Sequence, residues 1–312
     1  MGEERTRPER SRSGPVTRSI DPRFRPRGRQ YPKIYAFVLE CGGSTKSTSC
    51  TTMAVEGADR GYTGTVFDFD ANMSTTRILG YDETSLKGRK TVLDLIHGTA
   101  TLDEVALPAR YRIGDGYDDD AFEYIPGLRI VPSCSEMSSA DTAISEDADR
   151  QDWFAELLLG YEGDEDVFWC DFPASYGRMV YSVLRMLDED DSVIPSVKAD
   201  PKDVQYLVPL FTELERIREK NRLRRSVPGR PTVNHLILTG TPTPTYKEAP
   251  ARRAVQLAES LYSDILTPYI RYSGDAKKLY EDWCPLPILL PNSYPAVDYR
   301  KLMTGIGFTR RD

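Results

Sequence analysis

The segment 40–50, ECGGSTKSTSC, constrains this chain more than any other part of its sequence. It follows an apolar run at 34–39, and two glycines, a lysine and a cluster of hydroxyls stand together in it. A strand that ends in a glycine-rich turn, followed at once by a helix, presents free backbone N–H groups and a helix N-terminus to an anion. The segment therefore predicts a phosphate-binding loop, with an ordinary flexible loop as the alternative.

The residue types inside the loop suggest individual roles. We expect a helix to begin near Lys46, whose ammonium would reach the β- and γ-phosphates, while Ser47 would hold Mg²⁺. The Thr48 hydroxyl would lie near the α-phosphate. The standard pattern G-x-x-x-x-G-K-[ST] is not met, because its two glycine positions fall on Glu40 and Thr45. A β-branched residue at position 45 also removes backbone freedom that glycine would give the loop.

Aspartates follow two later apolar segments. Asp68 and Asp70 stand two residues apart in VFDFDANMST (66–75), so at a strand end they point to the same side and could both address a metal and an attacking water. The segment DVFWCDFPASYG (166–177) reaches Asp171 at the end of an apolar strand, where a Mg²⁺-bound water needs an acceptor. Any one of these aspartates also fits a helix cap or a turn, but three in this order favour a nucleotide site.

Apolar strand-like segments alternate with helical ones from Pro32 onward. This pattern predicts the α/β fold class, as a doubly wound, mostly parallel sheet with helices on both faces. Because no repeat or domain boundary is visible, residues 32–312 are predicted to form a single domain, with solvated acidic segments at 114–120, 162–166 and 188–191. The predicted strands are 34–39, 65–69, 128–131, 166–170, 192–197, 232–238 and 267–271, and the predicted helices are 46–60, 141–159, 177–187, 201–220 and 250–266.

Composition separates residues 1–31 from the rest of the chain. The first thirty residues hold nine arginines, four acids and four prolines, although the whole chain has a net charge of −7. We expect a disordered basic arm, which either contacts a polyanion or is a solvated tail without a specific role. No apolar run approaches the roughly 20 residues that span a bilayer. Five scattered cysteines are typical of reduced thiols, so a cytoplasmic protein is predicted.

Taken together, these segments resemble the ParA/MinD group of deviant Walker A ATPases, most closely the ParA-type partition ATPases of plasmids and chromosomes. That group reads K-G-G-x-G-K-[ST]-[ST] at the loop, where this chain reads CGGSTKST. Its D-x-D-x-Q-like and D-x-P-x-x-x-G segments correspond to DFDAN and DFPASYG here. Further matches are RIVPS (129–133), VIPSVKADPKD (193–203) and AVDY (296–299), and the order and spacing agree from about residue 33 to residue 302.

The resemblance implies a P-loop NTPase fold of the deviant Walker A type, which binds ATP and Mg²⁺ at the carboxyl edge of the sheet. By match, Lys46 would be the catalytic phosphate lysine and Asp70 the residue that orients the attacking water. Ser47 and Asp171 would serve the metal, with Asp68 as a further metal candidate. The implied nucleotide-binding set is Gly42, Gly43, Ser44, Thr45, Lys46, Ser47, Thr48 and Thr239, the last of these near adenine.

A reaction cycle is implied as well. ATP would drive two subunits into a homodimer that binds double-stranded DNA without sequence preference, and a ParB-like partner would stimulate hydrolysis. The protein would then be associated with the nucleoid and not with a membrane, because the C-terminal KLMTGIGFTRRD makes a poor membrane helix. Candidate DNA contacts, which could equally be solubilising surface charges, are Arg252, Arg253, Arg271, Lys277, Lys278, Arg300 and Lys301, with a second cluster at 216–225.

One departure from the family pattern bears on turnover. The signature lysine that reaches the nucleotide of the partner subunit falls on Cys41, which supplies no permanent positive charge. A cation supplied in this way can be worth roughly 10³–10⁵ in the rate of nucleotide hydrolysis. We therefore expect a slow ATPase that segregates DNA. The alternatives are a nucleotide-binding scaffold with little hydrolysis and a localisation protein that binds a protein partner.

Overall fold

The computed structural model describes residues 23–24, 29–43, 45–114, 121–223, 229–246, 248–274 and 278–311. Residues 1–22 and 25–28 of the predicted arm lie outside this part of the chain, as do Ser44, Lys277, most of the acidic segment 114–120 and the last two residues of the basic cluster 216–225. The predictions made for those residues stay predictions.

Nine strands in the described part of the chain form the centre of the molecule. They are β1 (Lys33–Phe37), β2 (Gly64–Asp68), β3 (Leu107–Arg112), β4 (Phe122–Val131), β5 (Val167–Asp171), β6 (Ser192–Val193), β7 (Ser196–Lys198), β8 (Ile237–Thr241) and β9 (Ile270–Arg271). The first six form one sheet in the order β3-β4-β2-β5-β1-β6, which is parallel except for the β3–β4 pair. The parallel set β7-β8-β9 follows directly in the chain, after an interruption at Ile194 and Pro195.

Thirteen α-helices of the described chain surround these strands. They are α1 (Lys46–Asp59), α2 (Ser74–Ile78), α3 (Val92–His97), α4 (Leu102–Val105), α5 (Ala140–Glu146), α6 (Trp153–Leu159), α7 (Arg178–Leu184), α8 (Pro201–Val204), α9 (Leu207–Leu223), α10 (Ala249–Tyr262), α11 (Lys278–Asp282), α12 (Leu286–Leu289) and α13 (Tyr294–Gly305). Within the described part of the chain, no helix combines the length and the apolar character needed to cross a membrane.

Both faces of the sheet are covered. Along β1, Ile34 and Ala36 belong to a core formed with helices α3, α5, α6, α7, α9 and α10. The alternate residues Tyr35 and Phe37 belong to a second core formed with α1, α12 and α13. Because successive side chains of a strand point to opposite faces, a strand buried on both sides reads as a continuous apolar run. The predicted doubly wound α/β fold is therefore confirmed.

Several predicted elements are wrong in detail. The strand predicted at 232–238 makes only single bridges at Val233 and Leu236, and β8 begins at Ile237. Between these two bridges, the Asn234 side chain donates to the Asp191 carbonyl oxygen at 2.7 Å. A side-chain contact thus stands here in place of a regular backbone ladder. The helices predicted at 141–159 and 201–220 are each divided in two, and the antiparallel strand β3 was not predicted.

The structure corrects the boundary of the predicted disordered arm. Phe24 is buried, with its ring centroid 5.0 Å from those of both Tyr62 and Phe308. Arg29 forms an ion pair with Asp191, with 2.5 Å between Nη2 and Oδ1. Phe24 adds its ring to an aromatic cluster, and Arg29 supplies a positive charge to a buried carboxylate. Phe24 and Arg29, near the end of the predicted arm, are therefore packed against the domain.

Asp191 also corrects the prediction that 188–191 is solvated. Its carboxylate is fully buried and accepts a hydrogen bond from the Ile34 backbone N–H at 2.8 Å. Burial raises the pKa of Asp191, while the Arg29 guanidinium acts to lower it. The carboxylate thus joins the start of β1 to the turn before β6, a role that a run of acids does not reveal.

Candidate nucleotide-binding site

The loop between β1 and α1 lies at the carboxyl edge of the sheet, beside β5 and β6. Its tip, formed by Gly42 and Gly43, is exposed. Gly43 has a φ of +67°, a conformation in which an L side chain is strained. Gly42 has open space around an added Cβ, so its own packing does not require glycine. The structure therefore contains the strand, turn and helix that the sequence predicts for this segment.

Thr45, the last residue of the loop, precedes α1 in an unusual backbone conformation. Its φ of 71° lies in the left-handed region, which is costly for a β-branched residue. The Thr45 hydroxyl lies 2.8 Å from the Ser196 hydroxyl and 3.1 Å from that of Thr239. Ser196 continues to Ser49 at 2.8 Å, and Ser49 to the Tyr299 hydroxyl at 2.6 Å. This chain of hydroxyl contacts joins the loop to β7, β8 and α13. The Thr239 hydroxyl, predicted to lie near adenine, therefore contacts the loop itself.

Lys46 is the first residue of α1 and is buried. Its ammonium donates to the carbonyl oxygens of Leu39 at 3.0 Å and Cys41 at 3.1 Å, so it lies inside the curve of the loop. Burial lowers the pKa of Lys46, while the carboxylates of Asp171 and Asp70 act to raise it. A positive charge held by two carbonyls and facing two carboxylates can be redirected to an anion seated on the loop.

Asp171 ends β5, in register between Phe37 of β1 and Asp68 of β2. Its Oδ2 accepts a hydrogen bond from the Thr75 hydroxyl at 2.7 Å. Its buried Oδ1 has no hydrogen-bond partner among the described residues. Burial raises the pKa of Asp171, and the nearby Ser47 hydroxyl acts to lower it.

A buried carboxylate oxygen without a hydrogen-bond partner in its own chain is suited to accept a metal ion or a water-mediated contact. Mg²⁺ is held in nucleotide sites by one or two protein oxygen ligands, with water and phosphate oxygens completing its shell. Ser47 lies in the first turn of α1 and is near enough to Asp171, at the end of β5, to act on its pKa, so such a shell would lie between them. The residues present therefore fit a magnesium ion.

Asp68 has different contacts. Its Oδ1 accepts from the Asp70 backbone N–H at 3.1 Å, and its Oδ2 accepts from the Thr76 backbone N–H at 2.8 Å and the Thr76 hydroxyl at 2.7 Å. Burial, followed by the charge of Asp171, raises the pKa of Asp68. Because both oxygens already accept hydrogen bonds that hold the start of α2, Asp68 is less suited than Asp171 to bind a metal ion.

Asp70 lies on the loop after β2 and is partly exposed. Its Oδ1 accepts from the Asn72 backbone N–H at 2.9 Å, and its carbonyl oxygen accepts from the Ser133 hydroxyl at 2.8 Å. The loop is thus fixed on both sides, while the carboxylate remains near enough to Lys46 to influence its pKa. This geometry brings Asp70 to the same edge of the sheet as Lys46 and Asp171.

Tyr280 is a site residue that sequence reasoning missed. It belongs to α11, and its hydroxyl lies 3.3 Å from that of Thr48, a residue 232 positions away in the chain. The Tyr280 side chain is 40% exposed, but neighbouring groups shield its hydroxyl from water, which raises its pKa, and the charges of three aspartates of the site (Asp171, Asp68 and Asp70) raise it further. The one signal in the sequence is a tyrosine within the charged segment KKLYED, and no motif marks this tyrosine as a site residue.

Some of the basic residues near the C-terminus come together. Arg252, Arg271 and Lys301 line a cavity of about 540 Å³ between α10, β9 and α13. The Arg271 guanidinium is paired with both oxygens of Asp298, at 2.8 and 2.7 Å. Part of the positive charge at this cavity is therefore already neutralised.

The other candidates for DNA contact that the structure describes do not line this cavity. Arg253 and Lys278 are exposed on α10 and α11. Arg300 lies 3.7 Å from the Glu56 carboxylate and donates to the Pro291 carbonyl oxygen. The free charge that the predicted patch offers is consequently smaller than the sequence indicates.

A family model described as an AAA domain matches residues 32–226, more than half of the chain. The chain belongs to this family. A relative of this AAA-domain protein is the cell division protein PomZ of Myxococcus xanthus. The two are 25% identical over 271 residues, which cover 85% of this chain and 75% of PomZ.

Solved structures share the fold at low identity. The McdA–ATP complex of Cyanothece has a TM-score of 0.69 at 13% identity, covering 90% of this chain and 98% of McdA. The septum site-determining protein MinD of Pyrococcus horikoshii with Mg-ADP has a TM-score of 0.64 at 16% identity, covering 88% and 96%. Cobyrinic acid a,c-diamide synthase of Mycobacterium smegmatis with ADP and magnesium has a TM-score of 0.65 at 16% identity, covering 89% and 97%.

These matches place this AAA-domain protein in the ParA/MinD group of P-loop ATPases, as its sequence motifs predicted. The structural likenesses establish the fold alone, because the same architecture carries both positioning proteins and a synthase. The function has to be argued from the site.

Proposed function

We propose that this protein binds ATP with Mg²⁺ at the β1–α1 loop, hydrolyses it slowly, and uses the cycle to position or segregate a cargo. The observation that carries the proposal is the buried Oδ1 of Asp171, which has no hydrogen-bond partner among the described residues, on a carboxylate whose pKa is raised by burial while the Ser47 hydroxyl and the Lys46 ammonium both act to lower it. A carboxylate oxygen, a hydroxyl and an ammonium at one helix N-terminus suit a magnesium–phosphate group better than any single ion.

Each loop residue then has a definite task. The backbone amides of Gly42, Gly43 and Thr45 would donate to phosphate oxygens. Ser44, which lies between them in the sequence, stays a predicted member of this set. The Lys46 ammonium would leave two neutral carbonyls for a charged acceptor, which makes a stronger hydrogen bond. Ser47 and Asp171 would hold Mg²⁺, which supplies charge neutralisation at the phosphates.

Asp70 is the residue proposed to orient the attacking water, because its carboxylate is accessible and its loop is fixed. Steady-state phosphate release tests this role. Asp70→Ala should lower the rate by roughly 10²–10⁴-fold, the usual weight of a positioned acid–base group, with ATP affinity nearly unchanged. Glu83→Ala, which removes an exposed acid elsewhere, is the matched control.

A second function, a nucleotide-binding scaffold with little hydrolysis, is favoured by Cys41. Burial raises the pKa of the Cys41 thiol, and Asp203, with Oδ1 3.8 Å from Sγ, raises it further. The raised pKa keeps the thiol neutral, and a cysteine supplies no positive charge at any pH at which the protein works. If the Asp70→Ala variant releases phosphate at the same rate as the wild-type protein, the scaffold function replaces the ATPase.

We further propose an ATP-driven homodimer that binds double-stranded DNA without sequence preference, lies on the nucleoid and responds to a ParB-like partner. Support comes from Arg252 and Lys301 at one cavity and from the relation to the cell division protein PomZ. Each phosphate contact should add close to one unit to the slope of log K against log salt.

Fluorescence anisotropy on a random-sequence duplex, with and without ATP, tests this part. The double substitution Arg252→Glu and Arg253→Glu should weaken binding equally on every sequence. Arg310→Glu, at an exposed arginine of the C-terminal segment, should have a smaller effect. Absence of ATP-dependent binding at low salt would contradict DNA binding and leave a localisation protein that binds a protein partner.

A further inference from the structure

Lys198 is the last residue of β7 and lies beside the phosphate loop. Alternate residues of a strand share a face, so Lys198 lies on the same face as Ser196, whose hydroxyl contacts Thr45. Its ammonium reaches the tip of the loop, because a Cβ added to Gly43 would lie 3.6 Å from Lys198 Nζ. A positive charge therefore stands directly over the glycine turn.

This ammonium differs from that of Lys46. Lys46 Nζ is occupied by two backbone carbonyls. Lys198 is exposed, and in the part of the chain that the structure describes its Nζ has no hydrogen bond and no ion pair within 4.0 Å. The charge of Lys198 acts to lower the pKa of both Cys41 and Asp203, although burial raises both. The positive charge of Lys198 thus acts on residues at the start of the loop and is not neutralised by an ion pair among the described residues.

We propose that Lys198 is a phosphate-contacting residue of this site. Its ammonium binds an outer phosphate of the nucleotide and supplies, from β7, a positive charge that Cys41 does not supply from the loop. This inference rests on the proposed function, because it requires a nucleoside triphosphate on the loop between β1 and α1. It names a second cation for that ligand, delivered by a different strand from the one that precedes the loop.

The surroundings of Lys198 favour such a contact. The glycine at position 43 leaves no side chain between the ammonium and an anion seated on the loop amides. Asp203, a carboxylate whose pKa the charge of Lys198 acts to lower, accepts a contact from the Cys41 thiol at 3.8 Å and forms no ion pair with Lys198. The flexible four-carbon stem of a lysine allows its ammonium to shift by the small distance that a phosphate oxygen requires.

Titration calorimetry with ATP and Mg²⁺ tests the proposal on the whole chain. Lys198→Ala should raise the Kd for ATP about tenfold, since a charge-assisted contact at an exposed site lies at the lower end of the usual range. Lys198→Arg should restore most of the affinity, which a merely structural role would not require. The matched control is Lys202→Ala, which removes an exposed charge on α8 that also acts on Asp203.

Competition by AMP separates the outer phosphates from the rest of the ligand. The Lys198→Ala variant should lose affinity for ATP and keep that for AMP, and an equal loss for both would overturn the assignment. A Kd for ATP within twofold of that of Lys202→Ala would also overturn it, while leaving the proposed function intact. If the wild-type protein binds no ATP, the proposed function itself fails, and the two failures are thereby distinguished.

Discussion

The left-handed conformation of Thr45 leads to a prediction in which two substitutions differ in a known direction. Thr45→Ala and Thr45→Gly both remove the hydroxyl that contacts Ser196 and Thr239. They differ in the backbone, because a φ of 71° costs an L residue roughly 1–2 kcal/mol and costs glycine almost nothing. The greater freedom of glycine in the unfolded chain offsets about 0.4–1 kcal/mol of this.

We therefore expect the glycine variant to be more stable than the alanine variant by about 0.5–1 kcal/mol. Relative to the wild type, the alanine variant should lose about 1–2 kcal/mol, because the hydroxyl contacts are lost and the strain is kept. The free energy of unfolding in urea, followed by tryptophan fluorescence without nucleotide, measures both.

A second pair of substitutions serves as the control. Thr212 is an exposed residue of α9, where alanine should be more stable than glycine by about 1 kcal/mol because the backbone is helical. The order of the two variants should thus be opposite at positions 45 and 212. If alanine is as stable as glycine at position 45, the left-handed turn that starts α1 is refuted.

Two further substitutions test the ion pair that fastens the N-terminal segment and the acceptor proposed for the metal. Arg29→Ala should cost about 2–4 kcal/mol at pH 7, because it leaves the buried Asp191 carboxylate unpaired, whereas Arg230→Ala at an exposed pair should cost below about 1 kcal/mol. Without Arg29 the raised pKa of Asp191 rises further, so the loss should shrink as the pH falls; equal losses at pH 5 and pH 8 would contradict this. Asp171→Asn should abolish the magnesium dependence of ATP binding. It should also stabilise the nucleotide-free protein increasingly as the pH rises from the ordinary range for aspartate to about 6, the raised pKa of Asp171 in the folded state; a stability difference independent of pH would contradict this.

Local segments were predictable from the sequence. The run 34–39, the glycine turn and the helix from Lys46 are neighbours in the chain, so their residue types specify a strand, a turn and a helix start. Asp171 was predictable for the same reason, because it follows an apolar strand and the carboxyl ends of parallel strands meet at one edge. For these elements local chemistry and the final fold agree.

Contacts between distant segments were not predictable. Arg29 and Asp191 are separated by 162 positions, and each taken alone reads as a solvated charge. Tyr280 and Lys198 reach the loop only because α11 and β7 fold against it. Neither residue forms part of a pattern in its own segment, so the sequence indicated the loop and omitted two of the side chains that surround it.

Edges and interruptions of the sheet formed a third class. The strand β3 is antiparallel at the edge of the sheet, where one side of the ladder is open and an alternating apolar pattern is weak. The run predicted at 192–197 is interrupted at Pro195, because proline has no N–H to give to a ladder. The chain therefore pairs with β1 before this point and with β8 after it.

The central claim is that the β1–α1 loop binds the triphosphate of ATP with Mg²⁺, with Lys46 neutralising its charge. Titration calorimetry of the purified protein with ATP and Mg²⁺ measures this directly, with Lys46→Ala as the comparison and circular dichroism to establish that both are folded. We predict saturable heat for the wild type and a loss of at least about a hundredfold in affinity for the variant. Equal binding by both proteins, or no heat from a folded wild type, would contradict the account.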